Sequence, residues 1–234
     1  MPAQRIDLSP YVVHLTRDYN GSSAADNLVS ILASHCIEAR TPLGIAVRHL
    51  ESIGCGAGDF MESQKVACFS ETPLKSLHGL IDPGIWRQNH FRAYGVAFTR
   101  SRMLYYGATP VWYINQYRGS GFRWLVHDVN NLIDASALEN GKPAPEKWIR
   151  SSIARLTPFM ESIGQWGTKS KDFAFEREWR FKGQFTFGWT DVAAVIVPPG
   201  KAEGVKQSLK EALRYPAYVD TWEFRELAEP DATE

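Results

Sequence analysis

Short apolar runs alternate along this chain with amphipathic stretches, and the two patterns predict a mixture of strands and helices. β-Branched residues dominate residues 11–16, which predicts a strand, and Ser22 or Ser23 then begins a helix with Asp26 in its first turn. The same apolar patterns predict further strands at residues 66–69, 94–99, 111–114, 178–182, 193–197 and 218–224. Further helices are predicted at residues 74–80, 122–133, 146–163 and 201–214. Pro158 should kink or split the third of these, whose apolar stripe is Ile149, Ile153, Leu156, Met160 and Ile163.

The order of these elements favours an α+β fold. Strands and helices do not alternate regularly, as they would in a doubly wound α/β sheet. The two ends of the chain are rich in strands, whereas residues 117–165 have the pattern of a helical insertion. We therefore expect a single α+β domain over residues 1–228 and a disordered tail at residues 229–234.

Composition and charge narrow the class of protein. The chain has 234 residues, of which 44% are hydrophobic, and 26 basic residues balance 26 acidic ones. Zero net charge argues against a protein wholly dedicated to nucleic acid. No apolar run approaches the roughly 20 residues of a membrane span, and the first ten residues lack the apolar segment of a secretory signal. We expect a cytoplasmic protein with reduced thiols and no metal site, because its three cysteines share no metal-ligand spacing.

Two glutamates late in the chain are the first candidates for chemistry. Glu176 and Glu178 stand two residues apart in the run FEREWR, so on a strand both would project from one face. Repulsion between such carboxylates would raise the pKa of one of them, which suits acid–base chemistry or the stabilisation of a cation. The alternative is an exposed strand end, in which Glu178 pairs with Arg180.

The first predicted strand carries His14 and Thr16 on one face. The apolar neighbours of His14 are also typical of a core histidine. A third candidate segment is the end of the strand in CFSETPL, where Ser70 and Glu71 are well placed for a site. The alternative there is helix capping, since Thr72 stands in front of a proline.

A fourth segment combines arginines with aromatic rings. Arg100 and Arg102 bracket a short turn after a strand, and Tyr105 and Tyr106 follow them. Arginines with nearby aromatic side chains fit a ligand that has a pyrophosphate and a stacked ring. An ordinary surface of amphipathic side chains has the same composition, so both interpretations stay open.

The order of these segments resembles a known family. The runs HLTR, CFSETPL and EREWRF, within a match over residues 11–200, resemble the AbiG-type abortive phage-infection proteins, which are often labelled antitoxins. The resemblance implies a role in phage defence and a cognate toxin or antitoxin protein as a partner.

A more distant similarity implies a mechanism. The His-x-Thr strand, the helix with NLVSIL and the late glutamate at a strand start are similar to DarT-type ADP-ribosyltransferases. That superfamily has a split pair of small sheets around a cleft for NAD, which is its substrate. By this similarity Glu178 would stabilise the cationic ribose formed when the nicotinamide bond breaks. Glu176 would position or deprotonate the acceptor.

The same similarity implies a set of NAD-binding residues. His14 and Thr16 on the first strand would contact the adenosine ribose or the nicotinamide amide. Either Arg100 or Arg102 would neutralise the pyrophosphate. The middle motif of the superfamily would fall on Ser70 or on a tyrosine, for which Tyr106 is the candidate. Glu71 is a rival carboxylate. These residues are His14, Thr16, Ser70, Glu71, Arg100, Arg102 and Tyr106.

The leading hypothesis is therefore an ADP-ribosyltransferase-like enzyme that transfers ADP-ribose from NAD to a nucleic acid or a protein. Neutral overall charge favours a protein or a small acceptor. Six basic residues could still form a face for nucleic acid, although an ordinary solvated helical surface has the same pattern: Arg118, Arg123, Lys142, Lys147, Arg150 and Arg155.

Two other classes of function remain open. The first is a non-catalytic antitoxin or phage-sensing interaction module with a degenerate transferase fold. The second is a nuclease that uses His14 with Glu71 or Glu178, although the sequence shows no compact cluster of metal ligands.

We expect the substitution His14→Ala to abolish saturable NAD binding, because the similarity places this imidazole on a ribose of NAD. Isothermal titration calorimetry of the wild-type and variant proteins measures this directly. Failure of the wild-type protein to bind at millimolar NAD would contradict the transferase hypothesis and favour the interaction module.

Overall fold

The computed structural model describes residues 9–81, 90–117, 119, 121–166 and 169–228. The predicted tail at residues 229–234 lies outside these ranges. The chain divides into two compact units. The first unit contains Met1–Ile37, Phe69–Gly107 and Thr186–Glu234, and the second contains Glu38–Cys68 and Ala108–Phe185. A single domain over residues 1–228 stays a prediction.

The observed elements mix strands and helices throughout. The strands are β1 (Tyr11–Leu15), β2 (Cys36–Ile37), β3 (Val66–Ser70), β4 (Gly95–Thr99), β5 (Thr109–Pro110), β6 (Trp112–Asn115), β7 (Leu138–Glu139), β8 (Lys142–Pro143), β9 (Met160–Trp166), β10 (Lys169–Lys171), β11 (Glu178–Lys182), β12 (Phe185–Thr186), β13 (Val192–Val197) and β14 (Glu223–Glu226). The α-helices are α1 (Ala24–Ser34), α2 (Val47–Ser52), α3 (Asp59–Glu62), α4 (His78–Ile81), α5 (Arg100–Tyr106), α6 (Arg123–Ala137), α7 (Pro145–Arg150), α8 (Ser152–Leu156) and α9 (Ala202–Ala212). This mixture confirms the α+β class.

The first unit is built on a mixed β-sheet with the order β14, β13, β4, β1 and the end of β3. β14 runs parallel to β13, and the other neighbours are antiparallel. Val12 and Val13 point to opposite faces of β1 and both are buried, so this strand is covered on both sides. The predicted helix start is confirmed, because Ser23 and Asp26 form a capping box on α1.

The second unit has a largely helical core around Trp148. This side chain of α7 is fully buried, and its Nε1 donates a hydrogen bond to Ser63 Oγ at 2.8 Å. Val129 and Ile133 of α6 belong to the same apolar cluster. The unit also contains a sheet in the order β10, β9, β6 and an antiparallel pairing of β11 with β5.

The break that Pro158 predicts in the helix at residues 146–163 is confirmed, but the continuous helix predicted before it and the helix predicted after it are wrong. Ser151 ends α7 and caps α8, since its hydroxyl accepts a hydrogen bond from the backbone of that helix. A 3₁₀ turn that contains Pro158 then leads into β9, because proline has no N–H with which to continue a helix. Ile149 and Leu156, on the stripe predicted to be buried, are exposed.

Other predicted boundaries also change. Residues 74–80 form a 3₁₀ turn and the start of α4 instead of one helix. The strand predicted at residues 218–224 begins as a 3₁₀ helix at Pro216–Thr221, because its proline fixes a helical φ. The insertion at residues 117–165 contains the β7–β8 hairpin and the start of β9 as well as helices. The remaining predicted strands and helices are confirmed.

Candidate functional site

The predicted site residues are divided between the two units. Glu176 and Glu178 belong to the second unit. The first unit contains the predicted NAD-binding residues, which are His14, Thr16, Ser70, Glu71, Arg100, Arg102 and Tyr106.

Glu176 and Glu178 do not stand on one strand, so the predicted shared strand face is wrong. Glu176 ends the 3₁₀ turn Ala174–Glu176, whereas Glu178 is the first residue of β11. Between them Arg177 adopts the left-handed conformation with φ of 46°, which breaks the alternation of a strand. Both glutamates are half-buried.

The carboxylate of Glu178 is held at both oxygens by Arg180. The Nε atom of Arg180 donates to Oε1 and its Nη2 atom donates to Oε2, each at 2.9 Å. The expected pairing of these residues is confirmed, but its expected position at an exposed strand end is wrong, because the Arg180 side chain is only 2% exposed. The Glu178 side chain is 14% exposed. The fork therefore fixes the orientation of a carboxylate that solvent still reaches.

The same guanidinium also binds a second carboxylate. Its Nη2 donates to Glu161 Oε2 at 3.0 Å, and its Nη1 donates to the carbonyl of Pro158 at 2.7 Å. Lys171 Nζ donates to the other Glu161 oxygen at 2.8 Å. Burial alone would raise the pKa of Glu161, but the charges of Lys171 and Arg180 outweigh burial and hold this pKa below its usual value. Lys171, Glu161, Arg180 and Glu178 thus form one ionic chain.

Two weakly acidic side chains adjoin this ionic chain. Burial raises the pKa of the Cys68 thiol well above its usual value, and the charge of Glu178 and a hydrogen bond to it raise the pKa further. Burial likewise raises the pKa of Tyr113, with smaller contributions from the charges of Glu178 and Glu176. Both groups are protonated at neutral pH. The thiol donates to Glu178, whereas Tyr113 Oη donates to the Phe173 carbonyl at 3.3 Å.

In the first unit, His14 and Thr16 have different environments. His14 on β1 is half-buried and meets the ring of Phe69 edge-on, with 5.8 Å between ring centroids. Thr16 is buried, and its hydroxyl donates to the carbonyls of Ala24 at 2.8 Å and Tyr94 at 3.1 Å. Thr16 thereby ties the start of α1 to the strand that follows Tyr94. NAD contacts at both positions stay a prediction.

Glu71 and Arg100, which were predicted separately, are brought together in the first unit. The Nε atom of Arg100 donates to Glu71 Oε1 at 2.9 Å. Ser70 instead contacts Thr72, since its hydroxyl donates to Thr72 Oγ1 at 2.8 Å and accepts from the Thr72 N–H at 3.1 Å. The alternative prediction, that Thr72 caps the helix that follows it, is wrong, because the 3₁₀ turn Leu74–Ser76 has no side-chain cap.

A buried aspartate organises the other predicted residues of this unit. Asp191 accepts hydrogen bonds from Arg102 Nε, from Tyr106 Oη at 2.6 Å and from the Gly188 N–H at 2.8 Å. Burial alone would raise the pKa of Asp191, but the hydrogen bonds from Tyr106, Gly188 and Arg102 hold it below its usual value. Sequence reasoning missed Asp191, because a single aspartate in a turn before a strand gives no periodic signal.

Sequence reasoning also missed most of the ionic chain. The spacing on β11 did contain one signal, since residues two apart on a strand share a face and Arg180 stands two positions after Glu178. Glu161 and Lys171 come from β9 and β10, and nothing in the local pattern connects them to β11.

The predicted basic face lies in the second unit. Arg118 is outside the described residues, and the other five basic side chains are exposed. A shallow depression of about 690 Å³ is lined by Lys147 and Arg150 together with Glu139 and Glu146. These interspersed carboxylates reduce the attraction to a phosphate backbone and are typical of a solvated helical surface.

Within the described ranges, no three His, Cys, Asp or Glu side chains are grouped so that they could hold a metal ion. No helix in the same part of the chain is long and apolar enough to span a bilayer.

Comparison with known families gives one result. The chain matches, over residues 58–211, the model described as the abortive phage resistance protein AbiGi, antitoxin. This match covers about two thirds of the chain, includes Glu178 and Arg180, and defines a phage-defence protein of the abortive-infection class. The chain belongs to the AbiGi family. No curated protein and no solved structure matches it.

We expect Asp191→Asn to lower the free energy of unfolding by about 2 kcal/mol at neutral pH, because it removes the charge that Arg102 and Tyr106 contact. The pKa of Asp191 is depressed in the folded state. Its contribution is therefore fully present above the usual value of 3.8 and is lost as the pH falls through the lower folded value. Urea unfolding at several pH values measures the difference between variant and wild type.

Asp220→Asn is a matched control, since Asp220 is an exposed aspartate paired with Lys210 at 2.7 Å. It should change stability by less than about 1 kcal/mol. A loss for Asp191→Asn that stays constant down to pH values well below 3.8 would contradict the assignment.

Proposed function

We propose that this AbiGi-family protein acts in phage defence, in the cytoplasm, by cleaving NAD and transferring its ADP-ribose group to a nucleic acid or protein acceptor. The observation that carries the proposal is the Glu178 carboxylate, which Arg180 holds at both oxygens and which solvent still reaches. A split-sheet fold of the ADP-ribosyltransferase type belongs to the same proposal.

The chemistry needs a fixed carboxylate. Nicotinamide leaves with the bonding electron pair, and positive charge develops on the ribose carbon that it leaves. A carboxylate that is already oriented stabilises this charge without reorganising, as in glycoside hydrolysis. The acceptor nucleophile then forms the new bond to that carbon and gives its proton to a base. We assign Glu178 to the stabilising role and Glu176 to the base.

The charges around Glu178 support a cationic substrate centre. The ionic chain is neutral when all of its groups are ionised, because Glu161 and Glu178 balance Lys171 and Arg180. Its Glu178 carboxylate is more exposed than its Glu161 carboxylate, so the negative charge of Glu178 is the one that a substrate would meet. Partial burial lowers the local dielectric and strengthens the attraction between this charge and a cation.

The NAD contacts predicted in the first unit are kept as part of the proposal. Arg100 and Arg102 are each held through Nε by a carboxylate, and their side chains remain 40% and 44% exposed. Their orientation is therefore fixed while part of each guanidinium faces solvent, which suits a pyrophosphate. The ribose and amide contacts of His14 and Thr16, the middle motif at Ser70 or Tyr106, and the role of Glu71 as a rival carboxylate stay predictions.

Glu178→Gln tests the proposal, because it keeps the size of the side chain and removes its charge. We expect the rate of nicotinamide release from NAD to fall about 100-fold or more. Chromatographic measurement of nicotinamide gives the rate, and circular dichroism checks folding. Glu223→Gln is a matched control, since Glu223 also pairs with an arginine two residues later on a strand, at 2.8 Å, but is half exposed. It should leave the rate unchanged.

Two outcomes would contradict the proposal. One is wild-type nicotinamide release by the Glu178→Gln variant. The other is no release by the wild-type protein in the presence of either class of acceptor.

A non-catalytic antitoxin that binds a cognate toxin protein is the second candidate. The observation that favours it is a set of exposed aromatic side chains in the second unit, each more than half exposed: Trp112, Phe122 and Trp124. Such residues are enriched at protein interfaces. This function is favoured if Glu178→Gln retains protection against phage while Trp124→Ala loses it.

A further inference from the structure

We propose that Arg180 is a positioning residue, which holds the Glu178 carboxylate against Cys68 and is itself held by Glu161 and Lys171. Its part in catalysis rests on the proposed function. Its geometric part does not, because every contact involved lies within the second unit and needs no substrate.

The contacts of Arg180 allow one orientation of Glu178. Two parallel N–H···O bonds at 2.9 Å place the carboxylate in the plane of the guanidinium. The third nitrogen, Nη1, is committed to the Pro158 carbonyl at 2.7 Å, so the guanidinium cannot rotate without losing a buried hydrogen bond. A lysine would bring the same charge but not the planar fork.

Glu161 and Lys171 set the position of the guanidinium. Nη2 of Arg180 is shared between Glu161 Oε2 at 3.0 Å and Glu178 Oε2 at 2.9 Å. Lys171 occupies the other oxygen of Glu161 and balances part of its charge. Without Lys171, the Glu161 carboxylate would attract Arg180 more strongly and loosen its hold on Glu178.

The pKa of the Cys68 thiol depends on the position of the Glu178 carboxylate. The charged groups that act on the thiol are Glu178 and Glu176, which raise its pKa, and Arg180, which lowers it. Glu178 also accepts a hydrogen bond from the thiol. A carboxylate released towards solvent would leave the thiol without this acceptor and without the charge that raises its pKa more than any other, so the pKa of Cys68 would fall.

The experiment measures alkylation of Cys68 by iodoacetamide across a pH range, with peptide mass spectrometry to resolve the three cysteines. In the Arg180→Lys variant we expect at least about a threefold faster reaction at a pH below the thiol pKa, because the thiolate is the reacting species. The plateau rate at high pH separates this effect from a change in access. Cys36 lies in the first unit and serves as an internal reference.

A double-variant cycle separates positioning from loosened packing. With Gln at position 178, Arg180→Lys should change the pH profile of Cys68 no further, since there is no carboxylate left to position. An unchanged profile in the Arg180→Lys single variant would overturn the proposal. Equal changes in both backgrounds would overturn it as well.

Lys171→Met keeps the proposal testable if the buried Arg180→Lys variant does not fold. Lys171 is one-third exposed and contacts Glu161. A smaller acceleration of Cys68 alkylation in the same direction supports the proposal, and no acceleration overturns it.

The alkylation measurement needs no NAD, so its result and that of the NAD-cleavage assay are independent. If NAD cleavage is observed, Arg180→Lys should lower kcat with little change in KM, and should have no further effect with Gln at position 178. If the alkylation rates change as expected but the wild-type protein does not cleave NAD, the positioning role is retained and the proposed enzymatic function is rejected.

Discussion

The ion pair between Arg180 and Glu178 is the constraint on which the second unit depends. A guanidinium that is 2% exposed is costly unless every donor finds a partner. Here the partners come from β11, from β9 and from the 3₁₀ turn before β9, so these segments have to be in place together. Loss of one partner in such a buried pair costs about 3–5 kcal/mol. The same bonds that stabilise the unit therefore orient the partly accessible carboxylate of Glu178.

Both units contain arginine–carboxylate pairs, but the partner that is buried differs between the two units. In the second unit a buried arginine fixes a carboxylate that solvent reaches. In the first unit, buried Asp191 and largely buried Glu71 fix the arginines Arg102 and Arg100, which stay exposed. The first arrangement presents negative charge and the second presents positive charge.

Much of the fold follows from local patterns, whereas the site depends on contacts between distant segments. The capping box of Ser23 and Asp26 and the strand bounds of β11 follow from residue type and alternation. The prediction that Glu176 and Glu178 share a strand face failed. Arg177 between them takes a left-handed conformation, which the alternation of side chains along a strand does not reveal. Asp191 was missed because its side-chain partners Arg102 and Tyr106 lie 89 and 85 residues away in the chain. The helix expected at residues 146–163 failed because apolar spacing does not register the cap at Ser151.

The most direct test of the central claim is a crystal structure of the protein with NAD bound. The result we expect is the nicotinamide ribose within hydrogen-bond distance of the Glu178 carboxylate, with Arg180 still paired to it at both oxygens. A structure at saturating NAD in which Glu178 contacts no part of the ligand, or in which no NAD is bound, would contradict the claim.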